Sequence, residues 1–246
     1  MKVFLTSSPM GEYLKESDEY PCKLNEKNRF VERLKGAWKE NSYVLLICAF
    51  PDCYDMNDGM KQSFRDSFED ASLSMSHIEA CDFRNDDKIG EYMEKADVVI
   101  LGGGHVPTEN AFFRKMSLKE RLQNFDGMVM GISAGSMNSA EVVYAQPEME
   151  GESTDPNYEK FIGGLGLVKT MIVPHYQVTK TFMLDGKRLF EDITYADSVG
   201  REFYALVDGS YVYAENGKEL LCGEAYLIKD GELKKISDVG DEIVLV

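Results

Sequence analysis

Met128-Val129-Met130-Gly131-Ile132-Ser133-Ala134-Gly135-Ser136 is the stretch on which the reading of this chain turns. Residues 127–132 form a short, continuous apolar run, the pattern of a strand buried on both faces, and residues 137–143 beyond it are helix-like. Between the two stands Gly-x-Ser-x-Gly. A sharp strand-to-helix turn of this kind lifts a serine hydroxyl above the carboxyl end of a sheet, where open α/β sheets bind their ligands. Glycines flank the serine because the backbone there is crowded and strained. The N–H of Ala134, at the start of the following helix, is aimed at an oxyanion that develops when Ser133 attacks a carbonyl. A Gly/Ser-rich packing or phosphate turn has the same local composition, so the strand before it and the helix after it give the motif its meaning.

Outward from this point, five more short apolar runs read as buried strands, over residues 2–6, 43–49, 77–82, 97–102 and 170–174. Helical spacing of apolar residues falls between the early ones. It covers 28–41 (Phe30, Val31, Leu34, Ala37, Trp38) and 60–74 (Phe64, Phe68, Ala71, Leu73), with further candidates at 87–95 and 107–123. Continuous apolar strands alternating with helices predict an α/β fold, a doubly wound mostly parallel sheet with helices on both faces. The last third changes character. Residues 202–215, 223–229 and 232–246 are β-rich and punctuated by Asp208-Gly209, Asn216-Gly217 and Asp230-Gly231, dipeptides typical of tight hairpins. They predict a C-terminal antiparallel β-hairpin extension. No Pro- or Ser-rich linker intervenes, so residues 1–246 are expected to form a single domain. Residues 11–28 and 148–159 read as polar, acidic loops.

With 246 residues and 43% hydrophobic content the chain can bury a sizeable core, which excludes global disorder. Its 27 Lys and Arg stand against 43 Asp and Glu, a formal net charge of −16. That balance argues against nucleic acid or an anionic membrane as partner, since both need a basic footprint. No apolar run approaches the roughly 18 residues of a transmembrane helix. Residues 1–8 are too short and polar for a signal-peptide core, so a cytoplasmic location is expected. The five cysteines (Cys22, Cys48, Cys53, Cys81, Cys222) are odd in number and form no Cys-x-x-Cys, so reduced, packed thiols are expected.

Partners for Ser133 are sought at other strand ends. Leu101-Gly102-Gly103-Gly104-His105 follows the run at 97–102. Its glycines let the backbone approach a ligand closely, and one glycine N–H is a candidate second oxyanion donor. The spacing is neither G-x-G-x-x-G nor a P-loop, and a plain tight turn is the other reading. Only three histidines exist. His77 opens a strand-like run and reads as structural, while His105 follows the glycines and is placed to line a site. His175 follows the strand at 170–174 and is the candidate general base. Asp208 ends an apolar segment; it is either the carboxylate that orients the imidazole or an ordinary turn aspartate. The order Ser133, His175, Asp208 differs from that of α/β-hydrolases, chymotrypsin and subtilisin. Three dispersed histidines form no metal cluster, and no metal or organic cofactor is expected.

Residues 131–136, the Gly102-Gly103-Gly104 turn, Pro174-His175-Tyr176 and Ala205-Leu206-Val207-Asp208-Gly209-Ser210 together resemble the peptidase E family of serine peptidases, which includes aspartyl dipeptidase and cyanophycinase. The motifs match in order and spacing over nearly the whole chain. The resemblance implies a fold similar to class I glutamine amidotransferases, with serine as the elbow nucleophile. It implies Ser133 as nucleophile, His175 as base and Asp208 as third member, where the family's dipeptidase has glutamate. Gly103 and Ala134 would form the oxyanion hole, with Gly104 and His105 beside the substrate. The dipeptidase recognises an N-terminal aspartate through an arginine after the histidine, and the nearest positions here are Lys187 and Arg188. Arg188 is favoured, because a guanidinium fork suits a carboxylate; a solvated basic pair opening a helix over 187–194 is the other reading. Glu148 falls near an acidic position of the family and is the candidate partner of a substrate ammonium. The implied function is hydrolysis of short peptides, dipeptides with N-terminal aspartate among them, through a Ser-His-Asp relay and an acyl-enzyme, by a monomer or homodimer. Alternatives are a cyanophycinase-like β-aspartyl exopeptidase, another amidase or esterase, or a non-catalytic binding protein of the same fold.

Overall fold

In the computed structural model, residues 1–10 and 23–245 are described. The loop expected over 11–28 therefore lies largely outside the described residues. At the centre is an eight-stranded sheet. Five of its strands come from the first half of the chain: β1 (Lys2–Thr6), β2 (Ser42–Ile47), β3 (Met75–Cys81), β4 (Val98–Leu101) and β5 (Met128–Ile132). They run parallel in the order β1-β5-β4-β2-β3, close to the expected boundaries. Alternate side chains enter opposite layers. Leu5, Leu45, Val99 and Val129 enter one, and Phe4, Leu46, Ile100 and Met130 the other. Both faces are thus buried, which is why the strands read as unbroken apolar runs. Helices α1 (Phe30–Ala37) and α2 (Tyr54–Asp70) cover the second layer through Phe30, Leu34, Phe64 and Phe68. Helices α3 (Ile89–Lys95), α4 (Val106–Lys115) and α5 (Leu118–Leu122) cover the first. This is the doubly wound, mostly parallel architecture expected from the sequence.

Some elements differ from their expected extents. The helix expected at 107–123 is two helices, because Ser117 takes a left-handed backbone (φ 50°) between α4 and α5. Helix α2 starts at Tyr54 rather than at residue 60 and stops at Asp70; its first turns are exposed apart from the buried, polar Asn57, so apolar spacing does not mark them. The helix after the elbow, α6 (Ala134–Asn138), begins at once and lasts five residues. The β-branched Val142 and Val143 then belong to β6 (Val142–Tyr144), which pairs with β7 (Phe161–Gly163).

The last third forms more than one antiparallel extension. After β8 (Met171–Val173), α7 (Tyr176–Thr179), β9 (Met183–Leu184) and β10 (Lys187–Arg188), six strands follow: β11 (Glu202–Leu206), β12 (Tyr211–Glu215), β13 (Lys218–Cys222), β14 (Ala225–Lys229), β15 (Glu232–Ser237) and β16 (Glu242–Val244). Strands β12, β13 and β16 extend the central sheet antiparallel beyond β1, while β8, β11, β14 and β15 make a separate four-stranded sheet. Asn216-Gly217 and Asp230-Gly231 are two-residue hairpins, both residues of each pair having positive φ. Asp208-Gly209 is not a hairpin. Only Gly209 has positive φ there (90°), and the segment carries the chain from one sheet to the other. Asp185-Gly186 is a hairpin of the same chemistry (φ 51° and 77°). It places Lys187 and Arg188 in a strand, where a helix was expected; a π-helical turn, Leu189–Thr194, follows.

Candidate active site

Parallel pairing sets the carboxyl ends of neighbouring strands side by side. In register Thr6 lies opposite Ile132, and Leu101 opposite Gly131. Ser7, Gly102 and Ser133 therefore emerge along one edge of the central sheet. In the second sheet Val173 is paired in parallel with Ala205, which brings the following His175 and Asp208 together. The site is assembled where these two edges meet.

Ser133 holds an elbow backbone, φ 49° and ψ −110°. A non-glycine residue there is strained by roughly 1–3 kcal/mol and persists only where its surroundings enforce it. Here the Ser133 N–H donates to the Thr6 carbonyl (3.0 Å) and the Gly135 N–H to the Gly102 carbonyl (2.9 Å). The turn also packs without space for side chains. A Cβ on Gly135 would lie 2.4 Å from the Leu101 carbonyl oxygen, and one on Gly131 would lie 2.8 Å from Ser136 Cα.

The Ser133 hydroxyl is 3.0 Å from His175 Nε2, and His175 Nδ1 is 2.7 Å from Asp208 Oδ1. In the tautomer this network selects, Nδ1–H donates to Asp208 and Nε2 is left to accept the serine proton. Sequence reasoning missed Ser7, which is wholly buried. Its hydroxyl donates to Asp208 Oδ1 at 2.7 Å and accepts the His175 backbone N–H at 2.8 Å. The only trace of it in the sequence is a run of hydroxyls, Thr6-Ser7-Ser8, at the end of an apolar strand. Burial by itself raises the Asp208 carboxyl pKa, but the hydrogen bond and charge of His175, with help from Ser7 and Gln177, hold it below the ordinary carboxylate value.

Two stretches of backbone lie beside Ser133, the Gly102-Gly103-Gly104 turn and Ala134. The Gly102 N–H is consumed by the Ile47 carbonyl. Those of Gly103, Gly104 and Ala134 have no acceptor among the described residues. A Cβ on Gly103 would touch Ser133 Cβ at 3.4 Å, so this backbone lies against Ser133. A Cβ on Gly104 would fall 2.6 Å from the Phe50 ring, so only glycine fits. Gly103 and Ala134 thus both lie next to Ser133, one across from it and one after it in the chain.

A cleft of about 210 Å³ opens over Ser133 and His175, with Gly104 and Glu148 also in its wall. Although Glu148 as a residue is exposed, its carboxyl is turned against protein and accepts the Val106 N–H (3.3 Å). Loss of water raises its pKa above the usual value, opposed by the charge of His105 and by that N–H. His105 does not line the cleft. Its Nδ1 bonds Thr108 Oγ1 (2.7 Å) and its Nε2 bonds Glu152 (2.8 Å). Glu152 in turn accepts the N–H groups of Glu148 and Met149, so the histidine anchors the loop that carries Glu148.

The two expected substrate cations are directed elsewhere. Lys187 Nζ donates to the Ser153 carbonyl (2.9 Å), and Arg188 is exposed and forked onto Asp192. Each is held by a different contact. Lys187 lies directly across from the cleft-lining Leu184 and shares its face, so its amine is kept out of the cleft by the Ser153 carbonyl, while Arg188, on the opposite face, is held by Asp192. Among the described residues, no Lys or Arg lines the cleft. His77 lies on β3 at the far edge of the central sheet and bonds Glu79.

A family model described as Peptidase family S51 matches residues 28–221. No curated protein matches the sequence. Among solved structures, a candidate peptidase E protein from Listeria monocytogenes EGD-e superposes with a TM-score of 0.59 at 15% identity, covering 96% of this chain and 98% of that chain. At this identity the likeness concerns the fold.

Proposed function

Since the chain belongs to peptidase family S51 and is a serine-type peptidase, we propose that it hydrolyses short peptides with Ser133 as nucleophile, His175 as general base and acid, and Asp208 as the group that orients the imidazole. The observation that carries this reading is the unbroken line of hydrogen bonds from Ser133 Oγ through His175 to Asp208. Ser133 Oγ bonds to the scissile carbonyl carbon while its proton passes to His175 Nε2. The N–H groups of Gly103 and Ala134 receive the oxyanion. The C–N bond then breaks, Nε2 returns the proton to the leaving amine, and an acyl-serine remains. Water, deprotonated by the same Nε2, releases the acid and restores the serine. The buried carboxylate of Asp208 stabilises the imidazolium formed in both halves.

Glu148 shares the cleft with the nucleophile. A free substrate ammonium beside its carboxyl favours the ionised form that burial disfavours, which supports an enzyme acting at a peptide amino terminus. Ser133→Ala is expected to fold normally, to lose labelling by a fluorophosphonate, and to lose at least about 10⁴-fold in kcat on any peptide substrate. Wild-type turnover in that variant would remove Ser133 from the mechanism.

A further inference from the structure

Much of the cleft lining is apolar. Met137 near the end of the elbow helix, Phe182 before the hairpin, Met183 and Leu184 on it and Leu189 after it all line the space over Ser133 and His175. Phe182 and Met183 are half or more exposed. Large apolar groups left open to water beside a nucleophile mark a surface awaiting an apolar ligand. The wall is held in place rather than free to refold around a charge. Asp185, in the turn between β9 and β10, accepts the N–H groups of Gly151 and Ser153 and the Ser153 hydroxyl, and Lys187 donates to the Ser153 carbonyl. The hairpin and the loop bearing Glu148 are thereby clasped together. This clasp consumes the one cation of the hairpin nearest the cleft, and Asp192 occupies the other, Arg188.

We propose that this wall is the specificity subsite, and that it takes a large, uncharged apolar side chain on the residue supplying the scissile carbonyl. The proposal rests on the serine-peptidase reading and names its substrate class. An acidic side chain in that position would lose water against Met137, Phe182 and the leucines with no counter-charge, and would face the carboxyl of Glu148 in the same cleft. Discrimination therefore acts in both directions, by apolar contact for the right side chain and by unpaired charge against the wrong one.

The test uses 1-amino boronic acids carrying leucine, phenylalanine or aspartate side chains. Ser133 Oγ adds to boron and its proton passes to His175, giving a tetrahedral boronate that blocks a fluorophosphonate. Protection of wild-type Ser133 should come from the leucine and phenylalanine compounds at concentrations at least about tenfold lower than from the aspartate compound. Met183→Arg, at an exposed position, should narrow or invert that ratio. Equal or better protection by the aspartate compound, protection by none, or a ratio unmoved in Met183→Arg overturns the proposal while the serine-peptidase reading stands. Failure of the fluorophosphonate to label Ser133 in the unprotected wild type overturns that reading itself, and this proposal with it.

Discussion

Asp208 has a side chain one methylene shorter than the glutamate of the family's dipeptidase, yet it reaches His175 Nδ1 at 2.7 Å. Its reach comes from the parallel pairing of β8 and β11, which leaves residues 175 and 208 on neighbouring strand ends. Ser7 secures both partners at once, gripping the carboxylate and the histidine backbone. Asp208→Asn should keep the fold and lower kcat by about 10⁴, because an amide no longer selects the tautomer with Nε2 free; steady-state kinetics with a single dipeptide checks this. The Asp208 pKa is depressed in the folded protein. Its contribution to stability is therefore fully present above the ordinary carboxylate value of about 3.9 and is lost as pH falls through its own, lower pKa. Thermal melts between neutral and strongly acid pH should show this acid loss in the wild type and a weaker one in Asp208→Asn. That Ser133, His175 and Asp208 lie just beyond apolar strands was legible in the sequence. Ser7 was not, because a buried serine after a strand has no signature of its own; its role arises from a partner 201 positions away.

Two elements explain how Ser133 is held. The first is the elbow, where glycine is required by contact with backbone rather than by flexibility. Gly135→Ala would push a methyl group to 2.4 Å from the Leu101 carbonyl oxygen. The expected cost is about 1–3 kcal/mol or more, as for overpacking elsewhere, with loss of fluorophosphonate labelling as the turn shifts. The second is the buried contact between α4 and α6. Glu109 is wholly buried; its Oε2 accepts the Asn138 side-chain N–H (2.9 Å), and its Oε1 has no hydrogen-bond partner among the described residues. Burial pushes its carboxyl pKa well up, only partly offset by Asn138. The folded state then keeps a proton that the unfolded chain releases above about pH 4.3, so stability falls as pH rises from there toward the raised pKa. Glu109→Gln retains an acceptor for Asn138 and removes that slope. Its melting temperature should be flatter with pH than that of the wild type, and a parallel fall in both proteins would refute the assignment. The Asp-Gly and Asn-Gly dipeptides show the limit of element-scale reading. Asn216-Gly217, Asp230-Gly231 and Asp185-Gly186 all make hairpins, whereas Asp208-Gly209 links two sheets. The dipeptide permits the turn, but the strands on either side decide whether it closes one.

For the molecule as a whole, the net charge of −16 stands apart from the chemistry of the cleft. Self-repulsion of that charge destabilises the compact state and is screened by salt, the Debye length shrinking from about 30 Å at 0.01 M to about 8 Å at 0.15 M. The melting temperature should therefore rise with NaCl over that range at neutral pH. A fall would mean that local ion pairs such as Arg33 with Glu242 outweigh the global field. The same field, together with Glu148, acts against acidic peptides in a cleft without Lys or Arg among its described lining residues. By itself the sequence determined the parallel core, the elbow and the strand ends that carry Ser133, His175 and Asp208. Those follow from apolar periodicity and backbone sterics, which act over a few residues. Only the tertiary structure decided how the C-terminal strands divide between two sheets, that Ser7 ties Asp208 to the His175 backbone, that His105 anchors a loop, and that Lys187 and Arg188 are held by partners outside the cleft. Each of these depends on which face a side chain takes and on partners remote in the chain, and pairing over such distances is set by the packing of the whole, with no local pattern to announce it.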